Sequence, residues 1–415
     1  MNKTETILSF PPAAAQSWSH DIKSVSFAAS DPPGRQLGSG GGTANIIAEA
    51  WKASASGVPF KEWLRASRKL IIHGSGQSRR LPAYAAEGKI MLPLPRLASI
   101  TGQNISQTLL DLQQSDYTHL MRHAPDQYCI VVACGDVLIR EENALPVFPD
   151  ADVLIAGIPA SPEEARNHGV MFCYSDKPND LEFFLQKPSA ERISELSGRF
   201  SYYLDTGIWF LTESAIDVLM AKCGWNSITE SFQNDVAASY ELFDSFGTAL
   251  GNSPVDRDDE IATLQSAVLP LPNGRFYHFG TNRSVFSSIA QLAHPAESRR
   301  SFGHSAKDPS YDRIIINSNA TVAESVHPLW IENSTIPASW TLHSEHVLTG
   351  VPSNNWTLEI PHGACLDMLN MQGLRGQVIR VYGFSDTFKG AIGDPRTKWM
   401  GISAKTWLDV RSLTL

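Results

Sequence analysis

Arg79, Arg80 and Lys89 follow a glycine turn at Gly74 and Gly76, and that turn closes a short apolar run, Leu70-Ile71-Ile72. Backbone N–H groups at glycine can approach an anion without a side chain in the way. Arginine presents a planar fork to two oxygens, whereas lysine is a mobile point charge. Together these residue types suit a polyphosphate whose charge shifts during reaction; a solvated basic turn is the plainer reading.

A second chemical position lies at the end of Tyr128-Cys-Ile-Val-Val-Ala-Cys134, where Gly135 is followed by Asp136. An unbroken apolar run of this length reads as a fully buried strand. A carboxylate at its end is a natural ligand for Mg2+ bridging phosphates, although a lone Asp there is often only a turn residue. Further apolar runs fall at 151–158, 170–174, 182–185 and 201–211, and helical spacing appears over 104–122, 214–221 and 235–250. Alternation of buried strands and helices predicts an α/β sheet, in which ligands collect beyond the carboxyl ends of the strands.

A second glycine cluster, Leu37-Gly-Ser-Gly-Gly-Gly-Thr43, precedes a helical pattern predicted to start at Thr43. A glycine loop opening a helix can receive an anion at the helix N-terminus, and it reads equally well as a flexible linker. After about residue 295 the texture changes. Residues 296–312 are polar and linker-like, and 314–322, 329–336 and 340–351 read as short strands with Asn and Ser corners. Their imperfect repeat fits a few coils of a parallel β-helix, and a small β-sandwich would look similar.

Composition narrows the partners. The 415 residues carry a formal charge of −9, which argues against the broad basic face that nucleic acid requires. Five cysteines without a C-x-x-C pair suit a reducing cytoplasm. The N-terminus reaches Pro11 and Pro12 before any signal-like apolar run, and no stretch approaches the roughly 18 apolar residues of a membrane span. The expectation is a cytoplasmic protein with no membrane or nucleic-acid partner. Several signatures fail: Thr43 stands at the third Gly of G-x-G-x-x-G, no Gly-Lys-Ser/Thr occurs in P-loop register, and Gly303-His-Ser-Ala-Lys307 misses the hydrolase elbow at its last residue. No H-E-x-x-H occurs, and the 12 histidines are scattered.

The succession of strand, glycine turn, arginine pair and lysine resembles the signature loop of sugar-1-phosphate nucleotidyltransferases. More specifically, Leu37–Thr43 together with His73-Gly-Ser-Gly-Gln-Ser-Arg-Arg-Leu-Pro82 and Gly88-Lys89 is similar to the fucose-1-phosphate guanylyltransferase (GDP-fucose pyrophosphorylase) family. That family includes the pyrophosphorylase half of bifunctional fucokinase/GDP-fucose pyrophosphorylases. The likeness continues through Cys134-Gly135-Asp136, His168-Gly169-Val170, Leu185-Gln-Lys-Pro188, Asp205-Thr-Gly-Ile-Trp209, Phe276-Tyr-His-Phe-Gly-Thr281 and Leu329-Trp-Ile-Glu-Asn-Ser334, and so covers nearly the whole chain.

The resemblance implies a Rossmann-like nucleotidyltransferase sheet over 1–295, a linker over 296–312 and a β-helix-like domain over 313–415. It implies that L-fucose 1-phosphate attacks the α-phosphorus of GTP and releases pyrophosphate, a reaction served mostly by alignment and charge neutralisation. Arg79, Arg80 and Lys89 would neutralise the triphosphate, and Lys187 would grip the sugar phosphate. Gly38, Ser39, Gly40, Gly41, Gly42, Gly74, Gly76, Gln77 and Ser78 would contact the nucleotide. His168, Gly169, Asp205 and Gly207 would contact the sugar, and Asp136 would bind Mg2+, with Mn2+ as the alternative ion. The late Asp carried by many such transferases is absent from Tyr277-His278-Phe279-Gly280-Thr281, which leaves Asp205 and Glu241 as candidate second ligands. Bifunctional relatives continue into a sugar kinase, and this chain ends at Leu415, so the kinase supplying fucose 1-phosphate is expected on a separate chain or a missing segment. The alternatives are the same reaction on another sugar 1-phosphate or nucleotide, and a nucleotide-sensing subunit of the same fold.

Overall fold

The computed structural model describes residues 4–18, 25–54, 57–76, 78–94, 96–99, 102–104, 107–141, 145–292, 312–370, 376–386, 388 and 390–413. Gln77 and, apart from Asp312, the linker expected over 296–312 lie outside them. The chain divides into two units, one of residues 1–76 and 109–276 and the other of 77–108 and 277–415.

The first unit is built on a nine-stranded mixed sheet. Four strands run parallel, Tyr128–Cys134, Arg68–His73, Thr4–Ser9 and Phe27–Ala29 in that spatial order. Against the first lies Phe200–Thr212, antiparallel, which also pairs with Val153–Ile158 and Gly169–Tyr174. Phe183–Gln186 extends the sheet beyond Gly169–Tyr174, and Ser266–Pro270 pairs parallel to Val153–Ile158. The continuous apolar runs read from the sequence are the strands buried in this sheet: Leu70, Ile71, Ile72, Ile130, Val153, Leu154, Ile155, Trp209 and Phe210 are each at most 1% exposed. Residues buried on both faces need no alternation, which is why these runs carry no period of two.

Two helical expectations are corrected. The helix expected from Thr43 begins five residues earlier and runs Gly38–Ser54, so the glycine cluster is its first turn rather than a loop before it. Glycine's low helix propensity hides this start in the sequence. A packing constraint explains it: a Cβ at Gly41 would lie 2.4 Å from the Ala238 carbonyl oxygen, and one at Gly40 would lie 2.9 Å from the Tyr240 ring. The same contact corrects the helix expected over 235–250. Only Leu242–Phe246 and Gly247–Ala249 form short helical turns, because the chain before them hydrogen-bonds across to the Gly38–Ser54 helix.

In the second unit, Arg313–Ile316, Leu329–Glu332, His346–Thr349 and Ala364–Asn370 form successive parallel pairs, and Gln377–Gly383 adds an antiparallel edge. Two further parallel pairs, Asn319–Ala320 with Thr335–Ile336 and Thr341–Leu342 with Glu359–Ile360, accompany this sheet. Leu329, Ile331, Ile336, Leu348, Val351 and Leu366 pack together as its core. The corners repeat: Asn317 (φ 45°) donates its side-chain amide to Asn333 (φ 50°), 16 residues on. Asparagine is among the few side chains that tolerate this left-handed conformation. Residues 77–108, read in the sequence with the N-terminal region, group with these strands. Among the described residues no helix is long and apolar enough to cross a membrane.

Candidate functional site

Four widely separated segments meet in the first unit at a break in the Phe200–Thr212 strand. Its pairing to Val153–Ile158 shifts register between Asp205 and Trp209. On one side of the break Leu204 pairs with Val170, and on the other Ile208 pairs with Ala133. The start of the Gly169–Tyr174 strand and the carboxyl end of Tyr128–Cys134 therefore reach the same place. Gly207, at φ 72°, turns the strand there, and a Cβ on it would lie 2.6 Å from Cys134 Sγ. A Cβ on Gly169 would lie 2.3 Å from the Phe184 ring and 3.1 Å from Asp205 Cβ. Glycine at both positions is a requirement of close approach.

Asp205 is the buried charge of this break. Its Oδ1 accepts from the Gly207 N–H at 2.8 Å and from Trp209 Nε1 at 3.1 Å, and no hydrogen bond to Oδ2 is found among the described residues. Burial pushes the carboxyl up to about 6, and these two bonds draw it partly back. An oxygen held in this way suits a neutral donor such as a sugar hydroxyl.

Lys187 stands one residue beyond the strand pair that joins Gln186 to Gly169, and its backbone N–H donates to the His168 carbonyl at 3.0 Å. The residue is exposed and adopts φ 49°, a left-handed conformation that costs a side chain energy and is often kept at functional positions. His168 itself packs edge-on against Phe276, with ring centroids 5.0 Å apart.

Asp136 sits in the turn after Cys134. Sequence reasoning missed what holds that turn: fully buried Gln113 donates its amide to the carbonyls of Cys134, Gly135 and Val137 at 3.1, 3.1 and 2.6 Å. A glutamine inside an otherwise apolar helical face, Leu109–His123, was the available signal. No group of three or more His, Cys, Asp or Glu side chains among the described residues forms a metal cage. A strand-end carboxylate fits Mg2+, which keeps waters and takes substrate phosphate oxygens rather than a full set of protein ligands.

The neighbouring strand brings in the glycine turn. His73 pairs with Cys134, and the Gly135 N–H donates to the His73 carbonyl at 3.1 Å. His73 also joins the end of the Thr4–Ser9 strand to the Gly38–Ser54 helix, and its proton placement follows from donor counting. Thr43 Oγ1 gives its only proton to the Ser39 carbonyl at 2.7 Å, so His73 Nε2 must donate to Thr43 at 2.8 Å. Nδ1 is then the acceptor for Ser9 Oγ at 3.0 Å, and Ser9 in turn accepts from Ser75 at 2.7 Å. Burial pushes the imidazole down to about 4, in keeping with this neutral tautomer. Ser75, between Gly74 and Gly76, is thereby tied to the start of the Gly38–Ser54 helix.

That helix start is already occupied. The N–H groups of Gly40 and Gly41 both donate to the Tyr240 carbonyl at 2.9 Å, while the Ser39 N–H and hydroxyl donate to Glu241 Oε2 at 3.1 and 2.8 Å. Glu241 thus places a carboxylate where the helix dipole and unpaired N–H groups favour negative charge. Gly40, Gly41 and Gly42 are buried.

Ser78, Arg79, Arg80 and Lys89 fall in the second unit, apart from Gly74 and Gly76 in the first. Ser78 (φ 45°) opens a segment with two short turns, Pro82–Tyr84 and Lys89–Met91, and Gly88 (φ 89°) stands between them. Arg79 donates to the Gly390 carbonyl at 3.2 Å and lies 5.9 Å from the Phe388 ring centre. No ion pair to Arg80 is found among the described residues.

A cavity of about 500 Å³ opens in the first unit near the amino ends of Arg68–His73 and Tyr128–Cys134. Its two arginines are both paired: Arg65 with Glu213 and Arg68 with Asp126, each at 2.6 Å. It offers no unmatched positive charge for a phosphate among the described residues.

Residues 61–250 match the fucose pyrophosphorylase domain. Over 417 aligned residues the chain is 38% identical to the L-fucokinase/L-fucose-1-P guanylyltransferase of Bacteroides fragilis, covering 99% of this chain and 43% of that protein. It is 27% identical over 213 residues to the bifunctional fucokinase/GDP-fucose pyrophosphorylase of Arabidopsis thaliana, covering 44% of this chain and 20% of that one. The chain therefore spans less than half the length of these relatives. Among solved structures, a mannose-1-phosphate geranyltransferase from Thermus thermophilus aligns with 91% of this chain and 95% of its own at 11% identity, with a TM-score of 0.31.

Proposed function

We propose that this chain, which carries a fucose pyrophosphorylase domain, converts L-fucose 1-phosphate and GTP to GDP-L-fucose and pyrophosphate. The observation that carries the reading is the convergence of the glycine turn, Asp136, Asp205, Gly207, Gly169 and Lys187 on one break in a single strand. Two anions have to be brought together there. A sugar-phosphate oxygen attacks the α-phosphorus, the bond to the β-phosphoryl oxygen breaks, and pyrophosphate carries away the released charge.

Lys187 would hold the sugar phosphate, and Asp205 Oδ2 would accept from a sugar hydroxyl beside His168, Gly169 and Gly207. Gly74, Gly76, Gln77 and Ser78 would face the nucleotide, with Arg79, Arg80 and Lys89 neutralising the triphosphate. Gly38 to Gly42 would reach it only after Glu241 gives up its bonds to Ser39. Mg2+, or Mn2+ in its place, would supply charge neutralisation at the phosphates and would be held by Asp136. The parallel strand pairs and the repeated Asn corners support a short β-helix over 313–415, after a nucleotidyltransferase region over 1–295. No disulfide is formed among the described residues, which supports a reducing, cytoplasmic setting. The bifunctional names of the relatives support a kinase, in this protein or a separate one, as the source of fucose 1-phosphate.

Pyrophosphate release across a substrate panel tests the reading. GTP with fucose 1-phosphate is expected to give a kcat/KM at least about 10²-fold above either mannose or glucose 1-phosphate, the discrimination a pocket makes against one added hydroxyl. Preference for another sugar phosphate, or GTP binding without turnover of any, would overturn it.

A further inference from the structure

Resting on that reading, we propose that Glu332 and Arg380 are positioning residues which hold the segment carrying Arg79, Arg80 and Lys89 in its working conformation. The segment has little structure of its own. Its helical turns, Pro82–Tyr84 and Lys89–Met91, contain three residues each, too few to persist without tertiary support. Leu81, Pro82, Tyr84, Ile90, Leu92 and Leu94 are buried side chains of it.

Two polar anchors come from the strands of the same unit. The Tyr84 hydroxyl donates to Glu332, and the same Oε2 accepts from Trp330 Nε1 at 3.1 Å. Trp330 also meets the Tyr84 ring edge-on, with centroids 6.4 Å apart. The other anchor is Arg380, whose Nη2 donates to the Pro82 carbonyl. Its guanidinium is aimed by Asp367, which is fully buried and accepts from Nε at 3.0 Å. Both anchors fall between Arg80 and Lys89, so both cationic positions depend on one short bridge. The Leu329–Ser334 segment, which the sequence singled out without a role, supplies Trp330 and Glu332 to it.

A loop whose cations must meet a transferring phosphate tolerates little drift, since a misplacement of about 1 Å can cost about 10²-fold in rate. Glu332→Ala and Tyr84→Phe are therefore expected to lower kcat by about 10- to 100-fold on the same ground, while KM for the sugar phosphate stays within about twofold. Glu332→Gln, which keeps an acceptor for Tyr84, should recover most of the rate. The double variant should fall no further than the worse single one, because both remove the same contact. Trypsin gives a readout independent of activity: cleavage after Arg79 or Arg80 should quicken in Glu332→Ala and Arg380→Ala and stay slow in Glu332→Gln.

Wild-type kcat in Glu332→Ala, or a loss of kcat with cleavage unchanged, would overturn the positioning role. A loss that Glu332→Gln shares in full would do the same. An inactive wild-type chain would instead overturn the functional reading beneath it, so the two failures are separable.

Discussion

Replacing Lys89 by alanine is expected to lower kcat for GDP-fucose formation by about 10²- to 10³-fold, the range seen when one preorganised charge-stabilising group is removed. Charge grows on the departing pyrophosphate only as its bond to the α-phosphorus breaks. A group that meets that charge contributes more to the transition state than to the bound substrate, so kcat should fall while KM for GTP changes much less. Lys89 opens the Lys89–Met91 turn behind Gly88, whose φ of 89° a side chain would strain, and Ile90 and Leu92 beside it are the buried anchors. The alanine variant keeps those anchors and should melt within a few degrees of wild type. Lys89→Arg retains the charge with a different shape and should recover part of the rate. A kcat within tenfold of wild type for Lys89→Ala, measured by pyrophosphate release at saturating substrates, would remove Lys89 from the chemistry.

Asp136→Asn should be as severe by a different route. The substitution is nearly isosteric, and the turn that presents the residue is held through backbone carbonyls by Gln113, so the fold should persist. What is lost is the negative charge that a hard divalent cation requires. We expect kcat to fall by about 10²-fold or more, a loss comparable to that of other preorganised electrostatic groups. The Mg2+ concentration for half-maximal activity should rise in parallel. An unchanged Mg2+ titration would show that Asp136 is a turn residue only.

The legible parts of the sequence were those fixed by burial. Strands such as Tyr128–Cys134 announce themselves by unbroken apolar runs, and the place of Asp136 just beyond that strand follows from them. Asp205 and Lys187 were singled out through family resemblance. Their meeting at the break in Phe200–Thr212 depends on pairings between residues far apart in the chain, such as Leu204 with Val170 and Ile208 with Ala133. The helix start at Gly38 was hidden because its glycines answer to the Ala238 carbonyl, about two hundred residues away, and glycine's local preference points to a loop. Glu241 looked like a solvated helical residue and instead caps that helix. The His73 network was equally hidden: Ser9, Thr43 and Ser75 are ordinary polar residues until the parallel pairing of Ser9 with His73 sets them side by side. The grouping of 77–108 with the C-terminal strands rests on contacts such as Tyr84 with Glu332, 248 residues apart.

The most direct test is a crystal structure of the chain with GDP-fucose and Mg2+. The fucose is expected at the strand break, with a sugar hydroxyl within hydrogen-bond distance of Asp205 Oδ2, the sugar-side phosphate against Lys187, and the metal on Asp136. GDP-fucose bound at the amino ends of the strands, in the cavity lined by Arg65, Arg68 and Glu213, or bound at the break with Asp205 and Lys187 out of contact, would contradict that expectation.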